Sequence, residues 1–133
     1  MAKQNELGRK SEIKVCSFFG NKKYMAYAIP KGVNGQPFDV FAHRKQYSWY
    51  VDVKHLEDNK FSFPFSRIEP NQITSMKYAK YVAEMDGTFG FVIDWCNDLY
   101  FLNFSLFCDL ENQGQKSVKI ELLPRLEELV KCE

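Results

Sequence analysis

The sequence has few histidines, no paired cysteines and no long apolar run, and each absence excludes a class of protein. The two histidines, His43 and His55, lack the spacing of zinc ligands, so a Cys/His zinc site is not expected. The four cysteines form no CxxC pair, which favours reduced thiols and a cytoplasmic protein. No apolar run approaches the ~20 residues of a membrane helix, and the first residues lack the apolar stretch of a signal peptide. We therefore expect no membrane association.

The 133 residues are 45% hydrophobic and 26% charged, which is typical of a globular protein that builds its own core. No internal repeat, linker or low-complexity tract divides the chain, so residues 1–133 are predicted to form one domain. Aromatic residues reach 16%, which suits either an aromatic core or a surface on which nucleic-acid bases stack.

Charge is distributed unevenly although the net charge is only +1. Residues 1–60 hold 11 Lys and Arg against 6 Asp and Glu, whereas residues 61–133 hold 7 against 11. A basic half favours a protein that presents one face to phosphates. Chance segregation of solvated charges is the alternative.

Hydrophobic periodicity and turn residues predict a helix, several strands, a second helix, two strands and a short tail. The predicted helices cover 5–19, a segment from an Asn71 N-cap to about residue 85, and 124–131. The predicted strands cover 25–29, 39–42, 47–55, 89–95, 99–104 and 117–122, and a turn region covers 30–37. This order predicts a mixed β-sheet flanked by helices, an α/β or α+β fold.

The strand over 47–55 carries the most informative pattern. Alternate residues of a strand share a face, so Asp52 and Lys54 project side by side, away from the apolar Val51 and Val53. Asp39 starts the preceding strand beside a Gly/Pro turn. If the two strands form a hairpin, Asp39 reaches the same end of the sheet as Asp52.

Two carboxylates at one end of a sheet suit Mg²⁺, with Mn²⁺ as a substitute, because these ions prefer oxygen ligands. The main-chain carbonyl of Val53 could add a third oxygen. Lys54 could orient an attacking water or stabilise charge on a phosphoryl group. These residues predict metal-assisted phosphodiester hydrolysis. An Asp-x-Lys pair on a strand is also common on a merely solvated face.

A family resemblance extends this pattern. The run Pro37-Phe38-Asp39, followed by Asp52-Val53-Lys54, resembles the signature of PD-(D/E)XK nucleases. The segment 8–12 resembles the first helix of Holliday junction resolvases, with Glu12 at the acidic position. The segment 60–73 resembles the part of RecU-type resolvases that leads to a helix-starting glutamine, here Gln72, and the apolar strands from 89 and 99 resemble those that follow it.

The resemblance implies a restriction-endonuclease-like fold and a homodimer that nicks two strands of a four-way DNA junction. By position, it implies Asp39 and Asp52 as metal ligands and Lys54 as the catalytic lysine. It also implies Glu12 as a further ligand of metal or water, and Gln72 as a supporting residue of the active site.

Two departures from the pattern leave the substrate open. Asp52 stands where many members have Glu, and the interval 25–38 is too short for the junction-entering stalk of RecU-type enzymes. In this respect the chain is closer to compact archaeal resolvases. A restriction-like or repair nuclease of the same fold, or a non-catalytic DNA-binding module, remains an alternative. Ser66 and Arg67 could contact the scissile phosphate, and residues 31–35 could form either a phosphate-contacting loop or a plain turn.

Overall fold

The computed structural model describes residues 2–30 and 38–131, with side chains from Glu6 onward. Its helices are α1 (Ala2–Asn21), α2 (Pro70–Lys77), α3 (Phe104–Asn112) and α4 (Leu126–Leu129). Its strands are β1 (Met25–Ala28), β2 (Val40–Arg44), β3 (Tyr47–His55), β4 (Ser62–Pro64), β5 (Thr88–Trp95), β6 (Asp98–Asn103) and β7 (Ser117–Lys119). Within these described residues, no helix combines the length and apolar character needed to cross a membrane.

The main sheet of the described chain has the strand order β1-β2-β3-β5-β6. β3 and β5 pair in parallel, and the other neighbours pair antiparallel. β2 and β3 form the hairpin that the sequence pattern anticipates, with Arg44 opposite Tyr47 at its turn. A separate two-stranded sheet joins β4 to β7. The predicted mixed sheet flanked by helices is confirmed.

Helices cover both faces of the sheet and divide the core into two parts. On one face, Val15 and Phe19 of α1 pack with Val51 of β3 and Leu126 of α4. The other face carries the buried side chains of α2 and α3: Met76, Phe104 and Phe107. Strand periodicity explains this division, because odd residues of β3 face α1 whereas Tyr50 packs against the part of the core that contains Met76 and Phe107.

The start of α2 differs from the predicted one. Its N-cap is Glu69 and not Asn71, with Pro70 at the first helical position. Proline suits that position because its fixed φ matches the helix and its missing N–H would have no partner there. After Lys77 the helix continues as a π-turn over Tyr78–Val82, short of the predicted end near residue 85.

The C-terminal third contains a helix that the apolar pattern does not predict. β6 ends at Asn103, whose side chain accepts a hydrogen bond from the Ser105 N–H at 2.8 Å and so caps α3. The predicted strand over 117–122 is only half strand: β7 ends at Lys119 and a 3₁₀ turn covers Ile120–Leu122. The predicted turn region 30–37 lies mostly outside the described residues.

Candidate active site

Asp39 lies at a bulge in the β2–β3 hairpin. Val40 is the register partner of Val51, yet the Asp39 N–H also donates to the Val51 carbonyl at 3.0 Å. Two residues therefore oppose one, which is the pattern of a β-bulge. The same extra residue explains why Phe38 and Phe41, three positions apart, lie on one face with ring centroids 5.8 Å apart.

The bulge directs the Asp39 carboxylate at the edge of β3. Its Oδ2 accepts a hydrogen bond from the Val53 N–H at 2.8 Å. No described strand pairs with this edge of β3 beyond Val51, since β2 begins at Val40. The Asp39 side chain therefore takes the place of a strand carbonyl and fixes its carboxylate beside residues 52–54.

Asp52 lies on the face of β3 that is directed towards α2. Its strand neighbour Tyr50 stacks on Phe89 with ring centroids 5.0 Å apart, and Asp52 is only 2% exposed. Lys54 follows on the same face. Its ammonium group donates to Gln72 Oε1 at 3.0 Å, which connects the end of β3 to the first turn of α2.

Gln72 has two partners, because its Oε1 also accepts the Glu69 N–H at 3.0 Å. The same amide oxygen thus completes the helix cap and positions the lysine. Burial lowers the pKa of the Lys54 ammonium, and the carboxylates of Asp52, Asp39 and Glu69 offset part of this lowering. The charges of both aspartates thus act on Lys54, and the structure brings Asp39, Asp52, Lys54 and Gln72 together.

Glu12 lies on α1 and is 7% exposed, on the helix face that also buries Ser11 and Val15. Its role as a further ligand stays a prediction. Among residues 2–30 and 38–131, no three His, Cys, Asp or Glu side chains converge into a group able to hold a metal ion. At the end of β3, the carboxylates of Asp39 and Asp52, together with that of Glu69, act on the Lys54 ammonium.

The oxygen atoms at this end of β3 fit a hard divalent cation. Mg²⁺ is usually held by one or two carboxylates, with waters and substrate phosphate completing its coordination. In a strand, the carbonyl of a residue points to the same edge as its N–H, so the Val53 carbonyl faces the side where Asp39 lies. Asp39, Asp52 and this carbonyl could therefore hold Mg²⁺ or Mn²⁺.

A second polar cluster lies on the opposite face of the sheet, and the motif analysis does not find it. Asp94 of β5 is 4% exposed. Its Oδ2 accepts the Ser11 hydroxyl at 2.8 Å, and its Oδ1 pairs with the Lys14 ammonium at 2.9 Å. His55 Nδ1 lies 3.8 Å from Asp94 Oδ2. The available signal is an aspartate near the end of an apolar strand, since a buried charge needs a partner.

Comparison with known proteins supports the fold, whereas the chemistry is inferred from the residues of the site. No family model and no curated protein matches the chain. Among solved structures, it is similar to Hjc of Archaeoglobus fulgidus, a Holliday junction resolvase from an archaeal hyperthermophile. The TM-score is 0.59 and the identity is 12%, over 92% of this chain and 93% of that chain. The two proteins share a fold across nearly their whole lengths.

Proposed function

We propose that this chain is a metal-dependent DNA endonuclease that resolves four-way junctions as a cytoplasmic homodimer. The observation that carries the proposal is the joint placement of Asp39, Asp52 and Lys54 at the end of β3, where β2 no longer covers the strand. The shared fold with a Holliday junction resolvase supports DNA junctions as the substrate. A homodimer follows from the substrate, because resolution requires a cut in each of two strands.

In the proposed reaction, Asp39 and Asp52 would hold Mg²⁺ together with the Val53 carbonyl. When bound, the ion supplies polarisation of the scissile phosphate and a more acidic water. Lys54 donates to a phosphoryl oxygen and stabilises the charge that develops there, in a site that burial makes less polar than water. Gln72 holds the Lys54 ammonium in place through its 3.0 Å hydrogen bond. The half-buried setting of this lysine strengthens its attraction to the phosphate.

The test compares DNA substrates and two variants that each remove one negative charge. Purified protein is incubated with labelled four-way junctions, linear duplex, flaps and single strands, with Mg²⁺, Mn²⁺ or EDTA. Asp52→Asn removes one charge at the site. Asp109→Asn removes the same charge from an exposed position on α3 and is the matched control. We expect paired nicks in the junction, dependent on metal and abolished by Asp52→Asn alone.

Other outcomes would select one of the alternatives. Metal-dependent cutting of duplex or flaps in preference to junctions would retain the nuclease and replace the substrate. Junction binding without any cleavage would favour a DNA-binding module. Wild-type cleavage by Asp52→Asn would exclude the proposed site. A monomeric mass in light scattering at working concentration would contradict the homodimer.

The role of Glu12 needs its own pair of variants. Glu12→Gln neutralises the buried glutamate, and Glu6→Gln makes the same change at an exposed position of the same helix. If Glu12 is a ligand of metal or water, only Glu12→Gln raises the Mg²⁺ concentration needed for half-maximal cleavage. Equal metal dependence of both variants would assign Glu12 a purely structural role.

A further inference from the structure

A groove leads away from Lys54 at the end of β3. It encloses about 740 Å³, within the range of roughly 300–1,000 Å³ that is usual for ligand sites. Its lining includes Leu7 and Gly8 of α1, residues 53–57 at the end of β3, and Pro64 and Arg67. Since Lys54 is part of the lining, the groove adjoins the candidate active site.

The lining matches the chemistry of a nucleotide strand. Lys54, Lys60 and Arg67 bring positive charge into the groove, and Glu57 is the one carboxylate among its described lining residues. Leu7 and Leu56 supply apolar surface beside these cations. A nucleotide unit needs the same combination, because its phosphate is anionic while its sugar and base have apolar faces.

Arg67 is held in a fixed position at this groove. Its Nη1 donates to the His55 carbonyl at 2.6 Å, and its guanidinium carbon lies 5.8 Å from the centroid of the Phe63 ring. Arginine has five N–H donors in a planar fork, so one hydrogen bond to the main chain leaves donors for a ligand. A guanidinium that is already oriented loses less side-chain freedom when it binds phosphate.

The charge of Arg67 also extends to the site. Arg67 and Lys54 both line the groove, and Arg67 donates to the carbonyl of His55, the residue that follows Lys54. Both cations would therefore gain from an anion placed between them. A phosphodiester backbone has such anions at every nucleotide, beginning with the scissile phosphate at Lys54.

We propose that this groove binds the DNA strand adjacent to the scissile phosphodiester, and that Arg67 holds a neighbouring backbone phosphate. The inference rests on the proposed function for its ligand, but it concerns binding and not cleavage. It assigns Arg67 a different role from contact with the scissile phosphate itself.

The test measures binding in EDTA, where no cleavage is required. A set of four-way junctions carries one neutral methylphosphonate in place of each phosphate in turn around the branch point. Dissociation constants are measured for wild type, for Arg67→Gln and for Arg125→Gln. Arg125 is the control, since it is also exposed but its guanidinium lies 3.6 Å from Asp98 and 3.7 Å from Glu128.

We expect one position near the branch at which the methylphosphonate weakens wild-type binding about tenfold, as for loss of a charged hydrogen bond. Arg67→Gln should bind the unmodified junction about tenfold more weakly and show no further loss at that position. Its plot of log affinity against log salt should be shallower by about 0.9, the value for one lost phosphate contact. Arg67→Lys, which keeps the charge without the fork, should retain most of the salt slope.

Full sensitivity of Arg67→Gln to every methylphosphonate would overturn the inference, as would an equal loss of binding in Arg125→Gln. This failure is distinct from failure of the proposed function. If the protein cleaves junctions but Arg67→Gln and the methylphosphonate act independently, the proposed nuclease activity stands and the role of Arg67 in the groove is wrong. If Arg67→Gln removes the sensitivity to one methylphosphonate but the protein cleaves no substrate, the groove is a DNA-binding site and the proposed nuclease activity is wrong.

Discussion

Asp52 and Asp94 lie on neighbouring strands near the same end of the sheet, and they are almost equally buried, at 2% and 4% exposure. They face opposite sides of the sheet. Asp94 faces α1, and both of its oxygens have partners there, the Ser11 hydroxyl and the Lys14 ammonium. Asp52 faces α2, next to a desolvated lysine whose pKa is also affected by a second carboxylate, that of Asp39.

The difference lies in the balance of charge around each group. One carboxylate with a dedicated cation and hydroxyl forms a closed unit that attaches α1 to β5. Two carboxylates at one end of a strand repel each other and share Lys54, which is itself partly desolvated. An additional cation would stabilise that arrangement, whereas it would gain little at Asp94. Burial alone thus does not distinguish a structural aspartate from a candidate active-site aspartate, whereas the charged groups around each one do.

The sharpest test of this contrast is Asp39→Asn. The amide oxygen can still accept the Val53 N–H, so the bulge and the free energy of unfolding should be kept. The loss of one metal-binding charge should lower the single-turnover cleavage rate by roughly three orders of magnitude, equivalent to about 4 kcal/mol. Calorimetric titration with Mn²⁺ should show weaker binding in parallel.

Asp94→Asn is the comparison variant for Asp39→Asn, since it makes the same chemical change in the other cluster. If both variants lost cleavage to the same degree while remaining folded, the distinction between the two clusters would be wrong. An Asp39→Asn variant with unchanged Mn²⁺ affinity would remove Asp39 from the metal site.

The second prediction concerns stability. Asp94→Asn should lose stability and keep cleavage, the opposite of the result expected for Asp39→Asn. The substitution removes the charge that pairs with Lys14 and places an amide donor beside the buried Ser11 or Lys14. We expect the free energy of unfolding in urea to fall by about 2 kcal/mol, since Lys14 is partly exposed and can turn to water. Cleavage per folded molecule should be retained. Unchanged stability would show that the contacts of Asp94 do not hold α1 in place.

Gln72→Ala tests the connection between α2 and Lys54. The variant loses the acceptor for the ammonium and for the Glu69 N–H. Cleavage should slow about tenfold, equivalent to roughly 1.4 kcal/mol, and stability should fall by about 1 kcal/mol through the lost cap. Asn71→Ala, at the exposed neighbouring amide, is the control. Equal rates for the two variants would mean that Gln72 serves the helix alone.

Residue alternation was sufficient to predict which side chains of β3 share a face. Tyr50, Asp52 and Lys54 follow a period of two that does not depend on the neighbouring strands. The bulge at Asp39 is different in kind, because it exists only in the pairing of two strands. Its one local sign, Phe38 and Phe41 on a common face, becomes visible only when the core is assembled.

The Asp94 cluster and α3 could not be predicted from the sequence, because both depend on partners that are distant along the chain. Asp94 lies near the end of an apolar strand, which indicates a buried charge, but its partners are 83 and 80 positions away in the sequence. No local pattern identifies them. The helix α3 depends on the Asn103 cap and on burial of Phe104 and Phe107, whose aromatic side chains fit a strand equally well by propensity.

The smallest predicted effect is a change in the pH profile of cleavage. Burial lowers the pKa of Lys54 below its ordinary value of 10.5, so the ammonium loses its proton at a lower pH than an exposed lysine does. The proposed role needs the protonated form, and single-turnover rates should therefore decline on the alkaline side before pH 10.5 is reached. In Lys54→Arg, whose guanidinium stays charged, any residual cleavage should lack this decline. A wild-type rate that keeps rising through this range would instead indicate that neutral Lys54 accepts the proton of the attacking water. That result would keep Lys54 at the reacting centre and exchange its role from charge stabiliser to base.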